Sequence, residues 1–242
     1  MTLSVTPVPC LSDNYVWLLQ DKATGAVAIC DPGEAGPAIA AVERLGGRLD
    51  LILLTHHHGD HVAGVAELQA RCGGKVVGAA ADTHRLPKLD QAVKAGDSVA
   101  LGESRATVIE TPGHTVGHIA FHFPEGAVLL CGDTLFSLGC GRLLEGDAAM
   151  MFDSLRKLSA LPDPTLVCCG HEYTESNARF ALTVEPENAA LVARAAEAKA
   201  QRAAGQPTVP TTMAQERAAN PFLRAGDVAR LAAIRSAKDS FR

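Results

Sequence analysis

The sequence predicts an α+β fold, with two groups of short strands in layered sheets covered by helices and a helical C-terminal part. Three observations carry this expectation. Up to about residue 170, apolar runs of strand length alternate with turn-forming residues, and few helical patterns lie between them. Beyond residue 172 the pattern changes to Ala, Glu, Lys and Arg at helical spacing. Finally, several apolar runs end abruptly at a Gly beside a His or an Asp, as strands do when they deliver side chains to one edge of a sheet.

In chain order, Val16–Leu19 and Ala26–Cys30 read as strands flanking the hairpin-like turn Asp21-Lys22-Ala23-Thr24-Gly25. Residues 36–46 have a helical pattern. Leu51–Leu54, Val76–Val77, Ala106–Ile109, Ile119–Phe123 and Val128–Cys131 read as further strands, with helices at 62–71 and 148–160. Strands in two groups with interspersed helices pack as layers. After residue 172, Ala189–Ala204 is a strong helix former punctuated by Pro207, Pro210 and Pro221, and Asp227 is placed to cap a helix over 228–237. The tail is therefore expected to be all-helical.

Composition limits the function classes. The chain has 242 residues, enough for one large domain or a medium and a small one, and 47% hydrophobic residues support a substantial core. The net charge of −5 and the absence of a basic run argue against a nucleic-acid partner. No apolar stretch reaches membrane-spanning length. Met1–Val5 lacks both a basic region and a long apolar region, so a soluble, cytoplasmic protein is expected; it is taken to be a monomer. Seven cysteines, an odd number with no CxxC pair, read as buried thiols of a reducing compartment.

The chemistry concentrates in Thr55-His56-His57-His58-Gly59-Asp60-His61, directly after the apolar run Leu51–Leu54. On extended backbone, side chains two apart point the same way, so His56 and His58 can share one ion while His57 faces elsewhere. Asp60 and His61 follow a turn and can serve a second. Imidazole and carboxylate together suit zinc and other borderline transition metals. A solvated polar loop is the competing reading of such a run, and the full HxHxDH pattern after a strand favours metal. Three further strand ends carry donor residues: His114 in Thr111–Thr115, Asp133 in Gly132–Thr134, and His171 in Gly170–Glu172. Each alone would pass for a cap. With the histidine run they make seven candidates, a number suited to two ions, and Asp133 is the expected bridge because a carboxylate has two oxygens. Two metals about 3.5–4 Å apart can share a hydroxide of lowered pKa that attacks an electrophilic carbonyl.

These segments resemble the metallo-β-lactamase superfamily in THHHGDH, TPGHTVGH, CGDTLF and CGHEYT. Within it the chain is most similar to the hydroxyacylglutathione hydrolases, or glyoxalase II, through Leu11–Trp17, Gly139–Arg142, Pro207–Pro210, Asn220–Phe222 and Lys238–Phe241. The resemblance covers essentially the whole chain. It implies an αββα sandwich over residues 1–172, a helical substrate-binding domain over 173–242, and hydrolysis of S-D-lactoylglutathione to glutathione and D-lactate. It implies His56, His58 and His114 on one metal, Asp60, His61 and His171 on the other, and Asp133 between them, with Asp60 and Asp133 also catalytic. Zinc is the first choice for the two divalent ions, with iron or manganese as alternatives. His57, His84, His118 and His122 match no ligand position. Arg142, Tyr173, Arg235 and Lys238 match glutathione-binding positions, whereas Leu144 stands where some members place an aromatic residue. Two other enzyme classes compete, a lactonase-like hydrolase and a persulfide dioxygenase with one iron, but the latter would lack a complete second ligand set. A non-catalytic scaffold commonly loses ligands, and all seven are retained here.

Overall fold

Runs rich in Val, Ile and Leu that are buried on both faces set the frame, and a computed structural model of the chain describes residues 3–241. The first sheet holds β1 (Leu3–Cys10), β2 (Asn14–Asp21), β3 (Val27–Cys30), β4 (Leu51–Leu53), β5 (Lys75–Ala79) and β6 (Gln91–Val93), in that spatial order. Its first three strands run antiparallel and its last four parallel, with Ile29 opposite Ile52 and Ile52 opposite Val76. Parallel neighbours need a crossover. Helix α1 (Ala35–Arg44) supplies it between β3 and β4, and α2 (Gly59–Val62) with α3 (Val65–Cys72) between β4 and β5.

The second sheet contains β7 (Ser98–Leu101), β8 (Ser104–Glu110), β9 (Ile119–Phe123), β10 (Val128–Gly132) and β13 (Leu166–Cys169), flanked beyond β13 by β14 (Thr211–Thr212). Strands β7 to β10 are antiparallel, and β13 runs parallel to β10 after a crossover through α4 (Ala148–Ser159). A small hairpin of β11 (Leu135–Phe136) and β12 (Gly139–Cys140) stands apart. One apolar core joins both sheets, with Trp17, Phe121 and Phe123 among its largest buried side chains. The Trp17 indole N–H crosses from the first sheet to donate to the Cys169 carbonyl at 2.8 Å. Helix α5 (Thr174–Val184), α6 (Ala189–Ala203), α7 (Met213–Ala219) and α8 (Val228–Ser240) complete the chain.

Two sequence expectations are corrected. The helix expected over 62–71 is two pieces broken at Gly64, whose N–H donates to the Pro32 carbonyl at 2.8 Å. A Cβ at Gly64 would lie 2.6 Å from the Ala35 nitrogen, so the chain passes too close to α1 to continue one straight helix. The tail is not all helix either: Thr211 and Thr212 pair with Val167 and Leu166 and extend the second sheet. Helix α5 also had no expectation of its own. The Asp227 cap is present, its carboxylate accepting from the Arg230 N–H at 2.7 Å.

Candidate metal centre

The donor side chains gather because strands of both sheets end on one side. Parallel strands β3 and β4 end at Asp31 and at Thr55–His58, and parallel strands β10 and β13 end at Asp133 and His171. Binding sites in such sheets form beyond the carboxyl ends of the strands. His114 comes from the connection between β8 and β9.

His56, His58 and His114 form one group. His56 Nε2 lies 3.1 Å from His58 Nδ1, and His114 Nε2 lies 3.0 Å from the same nitrogen. The backbone at His58 is extended, so His56 and His58 share a face and His57 points away, as the spacing predicts. His114 Nδ1 faces the Arg142 carbonyl at 2.8 Å, an acceptor only, so Nδ1 carries the proton and the Nε2 lone pair points inward. Burial, reinforced by the neighbouring imidazoles, holds His56 well below the ordinary imidazole range and lowers His58. Neutral imidazole is the form that ligates metal.

Asp60, His61 and His171 form the second group. His61 Nδ1 pairs with Asp31 Oδ2 at 3.2 Å and His171 Nδ1 with Asp13 Oδ1 at 2.8 Å, which turns both Nε2 atoms inward. His171 Nε2 is 3.4 Å from Asp60 Oδ2, a carboxylate that also accepts from Asn14 Nδ2 at 3.0 Å. Asp133 faces both groups: Oδ1 is 3.4 Å from His61 Nε2, while Oδ2 is 3.3 Å from His171 Nε2 and 3.5 Å from His114 Nε2. Burial alone would raise the Asp133 carboxyl, but His61, His171 and His114 outweigh it and hold it below the usual range. Burial would likewise lower His171, yet Asp133 and Asp60 push it up to about 10.

Two atoms test whether cations fit. His61 Nε2 and Asp133 Oδ1 are buried with no hydrogen-bond partner. Orphaned buried polar atoms are costly, and these two point at each other across the space between the donors. Asp31 also lies near His56 and His61, but it accepts from the Thr55 N–H and hydroxyl at 2.8 and 2.7 Å as well as facing His61, so it is a support rather than a donor. The seven residues thus fit two cations, three imidazoles on one side and two imidazoles with a carboxylate on the other.

Sequence reasoning missed the supports, which lie far along the chain from the residues they hold. Asp31 carries no local signature, and Asp13 and Asn14 lie in the Leu11–Trp17 run without anything there marking them as supports. His118 is another: it stacks on His56 at 4.8 Å between ring centroids, accepts from the Asp133 N–H at 3.1 Å through Nε2, and is pushed down to about 3 by burial. The cysteines are free thiols, and burial raises Cys169 to about 12, which argues against a nucleophile there.

A cavity of about 340 Å³ borders the second group, lined by Phe136, Arg142, Tyr173, Arg235, Lys238 and Asp239 among others. Tyr173 stacks on His171 at 4.6 Å and 5°. Arg142 is exposed, with Nε 3.8 Å from Asp239. The Lys238 ammonium donates to the Ser176 carbonyl at 3.2 Å and lies over the rings of Phe180 and Phe241. Arg235 is buried, donating to the Cys140 carbonyl at 2.8 Å and to Asp239 at 2.9 Å. Leu144 is exposed beside His114, to whose carbonyl its N–H donates at 3.3 Å.

Residues 12–171 match the family model of the metallo-beta-lactamase superfamily, and residues 172–241 that of the hydroxyacylglutathione hydrolase C-terminus. A hydroxyacylglutathione hydrolase of Cereibacter sphaeroides is 57% identical over 234 residues, covering 97% of this chain and 92% of the relative. One of Rhodospirillum rubrum is 57% identical over 224 residues, covering 93% and 88%. Among solved structures, ETHE1 from Myxococcus xanthus superposes with a TM-score of 0.72 at 25% identity, covering 98% of this chain and 90% of that one. TTHA1623 in a di-iron-bound form gives 0.59 at 29% identity, covering 69% and 91%.

Proposed function

The chain belongs to the metallo-beta-lactamase superfamily and, within it, to the hydroxyacylglutathione hydrolases, and from that premise we propose how its residues divide the work. The activity is cleavage of S-D-lactoylglutathione and related 2-hydroxyacyl thioesters of glutathione, which stands over the lactonase and dioxygenase alternatives. His56, His58 and His114 hold one divalent cation, Asp60, His61 and His171 hold the other, and Asp133 spans the two. The observation that carries this reading is the pair of buried, unpartnered atoms, His61 Nε2 and Asp133 Oδ1, facing each other among the remaining donors. Bound there, two such ions would polarise the thioester carbonyl and make water acidic enough to attack near neutral pH. Zinc suits the mixed imidazole and carboxylate set, and iron, carried by TTHA1623, and manganese suit it too.

The protein's own groups set the geometry. Asp133, buried and ionised, faces both groups, with Oδ1 toward His61 and Oδ2 toward His171 and His114. Asp60 is the more exposed carboxylate, 42% against 9% for the Asp133 side chain, and receives the proton of the attacking water. The water oxygen bonds to the acyl carbon, the carbon–sulfur bond breaks, and the glutathione sulfur leaves as thiolate and takes up a proton. Tyr173, Arg142 and Lys238 line the cavity that receives the glutathione moiety, and opposite charge favours the anionic tripeptide there. Arg235 shapes that wall from behind. Residues 1–172 thus carry the chemistry and, through Phe136, Cys140 and Arg142, part of the substrate wall, and 173–242 carry the rest of that wall. The protein works as a cytoplasmic monomer; among the described residues no helix is long and apolar enough to cross a membrane.

Loss of thioester absorbance on adding S-D-lactoylglutathione, with and without chelator, tests the activity and its metal dependence. Asp133→Ala should abolish two-ion content, and metal analysis still finding two ions per chain in that variant would refute the bridging role.

A further inference from the structure

His57 stands inside the densest part of the ligand run, its ring edge-on to that of His58 at 4.9 Å between centroids, yet its nitrogens face other partners. Its Nδ1 lies 3.0 Å from Asp82 Oδ2 and its Nε2 lies 3.6 Å from Glu145 Oε1. Asp82 is fully buried and also accepts from Arg85 Nε. The Arg85 guanidinium continues to Glu145, and the other Glu145 oxygen accepts the Val116 N–H at 2.8 Å. Four charged or ionisable side chains, drawn from three loops, therefore close on one another beside the centre.

Each loop they join carries or supports a ligand of the three-imidazole group. His57 lies between His56 and His58. Glu145 ends the segment whose Arg142 carbonyl accepts His114 Nδ1–H and whose Leu144 N–H reaches the His114 carbonyl. Asp82 also presses on the turn following His114, because a Cβ at Gly117 would lie 2.6 Å from the Asp82 Cγ. The second group has supports of its own, with Asp13 on His171 and Asn14 on Asp60, while Asp31 serves both groups, facing His61 directly and His56 through the Thr55 hydroxyl. No member of the first set touches the second group.

We propose that His57, Asp82, Arg85 and Glu145 form a latch that positions the three-imidazole site and not the other, so that this site has a means of adjustment apart from the supports on Asp60 and His171. The inference rests on the two-ion reading above. It assigns a task to the one histidine of the run that matches no ligand position, and to Arg85 and Glu145, which no motif marks. These are positioning residues, since none of them reaches the space between the donors.

Cadmium-113 NMR of the intact chain titrated with cadmium tests it, because each site gives its own resonance, and His114→Ala identifies that of the three-imidazole site. Glu145→Ala should weaken cadmium binding at that site by about 10- to 100-fold and leave the other resonance unchanged, the range typical of lost outer-shell contacts. Asn14→Ala should do the reverse. Glu145→Gln, which keeps an acceptor for the Val116 N–H, should fall between wild type and Glu145→Ala, and it serves as the test if the alanine variant does not fold. Equal weakening of both sites, or none at either, overturns the latch. A wild-type protein with one cadmium resonance instead overturns the two-ion reading, and the latch is then judged on the surviving three-imidazole signal.

Discussion

Gly170 offers a sharp test of how tightly the centre is built. It joins β13 to His171, and its backbone is pinned on both sides, its N–H donating to the Gly132 carbonyl at 3.0 Å and its carbonyl accepting the Tyr15 N–H at 2.8 Å. A Cβ added there would lie 2.5 Å from Asp133 Oδ1 and 2.6 Å from His61 Cε1. Ordinary contact begins at 3.4 Å, so roughly 0.9 Å (3.4 less 2.5) must come from movement. The pinned backbone cannot supply it, and His61 is tethered to Asp31. The Asp133 carboxylate must therefore turn or the His61 ring must shift, and both are proposed ligands. Misplacing a reacting group by about 1 Å costs on the order of 100-fold in rate, and overpacking a filled site costs about 1–3 kcal/mol. Gly170→Ala should accordingly lower kcat/KM for S-D-lactoylglutathione about 100-fold and reduce metal content, with a modest loss of thermal stability. Gly36→Ala is the matched control: it lies in α1, has open space around its Cβ position and no left-handed backbone, and should add about 0.4–1 kcal/mol of stability without touching activity. Wild-type kcat/KM and full metal content in Gly170→Ala would refute the packing argument.

Three further outcomes are expected. Lys238→Ala should raise KM with little change in kcat, whereas Arg235→Ala should chiefly lower stability, by about 1–3 kcal/mol, because it strips a buried donor from the Cys140 carbonyl; steady-state kinetics and denaturant melts separate the two. Lys238 is lowered to about 8, by burial first and then by the charges of Arg235 and Arg179, so its ammonium is present below that pH and lost above it. KM should therefore rise as pH passes about 8, and Lys238→Arg, whose guanidinium stays charged, should flatten the rise. Metal stripped by chelator should be restored by zinc, each ion held at 100 times its Kd adding about 2.7 kcal/mol to folding stability, read as a shift in Tm.

The proposed donors were legible in the sequence because each lies close after an apolar run: His114, Asp133 and His171 directly after a glycine, and His56, His58, Asp60 and His61 within one histidine-rich run. The central strands were legible as apolar runs themselves. What escaped lacks local contrast. Strand β1 contains Pro7 and Pro9, which read as breakers and are tolerated because an edge strand leaves one side of its ladder unpaired. Helix α5 runs Thr-Glu-Ser-Asn-Ala-Arg at its start, weak in propensity, and is held by its buried face of Ala178, Phe180 and Ala181. The supports Asp13 and Asp31 act across 158 and 30 positions of the chain on His171 and His61. No window of sequence contains both partners, so only the fold reveals the pair.

The same reasoning explains why the C-terminal helices carry such selective motifs while contributing no proposed metal ligand. Their buried polar groups converge on the β11–β12 hairpin that follows Asp133. Asn220 donates to the Phe136 and Gly139 carbonyls, both at 3.0 Å, Asn177 to the Ser137 carbonyl at 3.1 Å, and Arg235 to the Cys140 carbonyl at 2.8 Å. Glu216 accepts the Leu138 N–H at 2.9 Å and is itself held by Thr211 and Asn220. Two strands of two residues each cannot be stable alone. The hairpin therefore takes its shape from the helices behind it, and with Phe136 and Cys140 it lines the cavity beside the proposed metal ligands. A chain that kept all seven donors but lost Asn220 or Glu216 would retain the means to bind metal and lose the surface that presents a substrate to it.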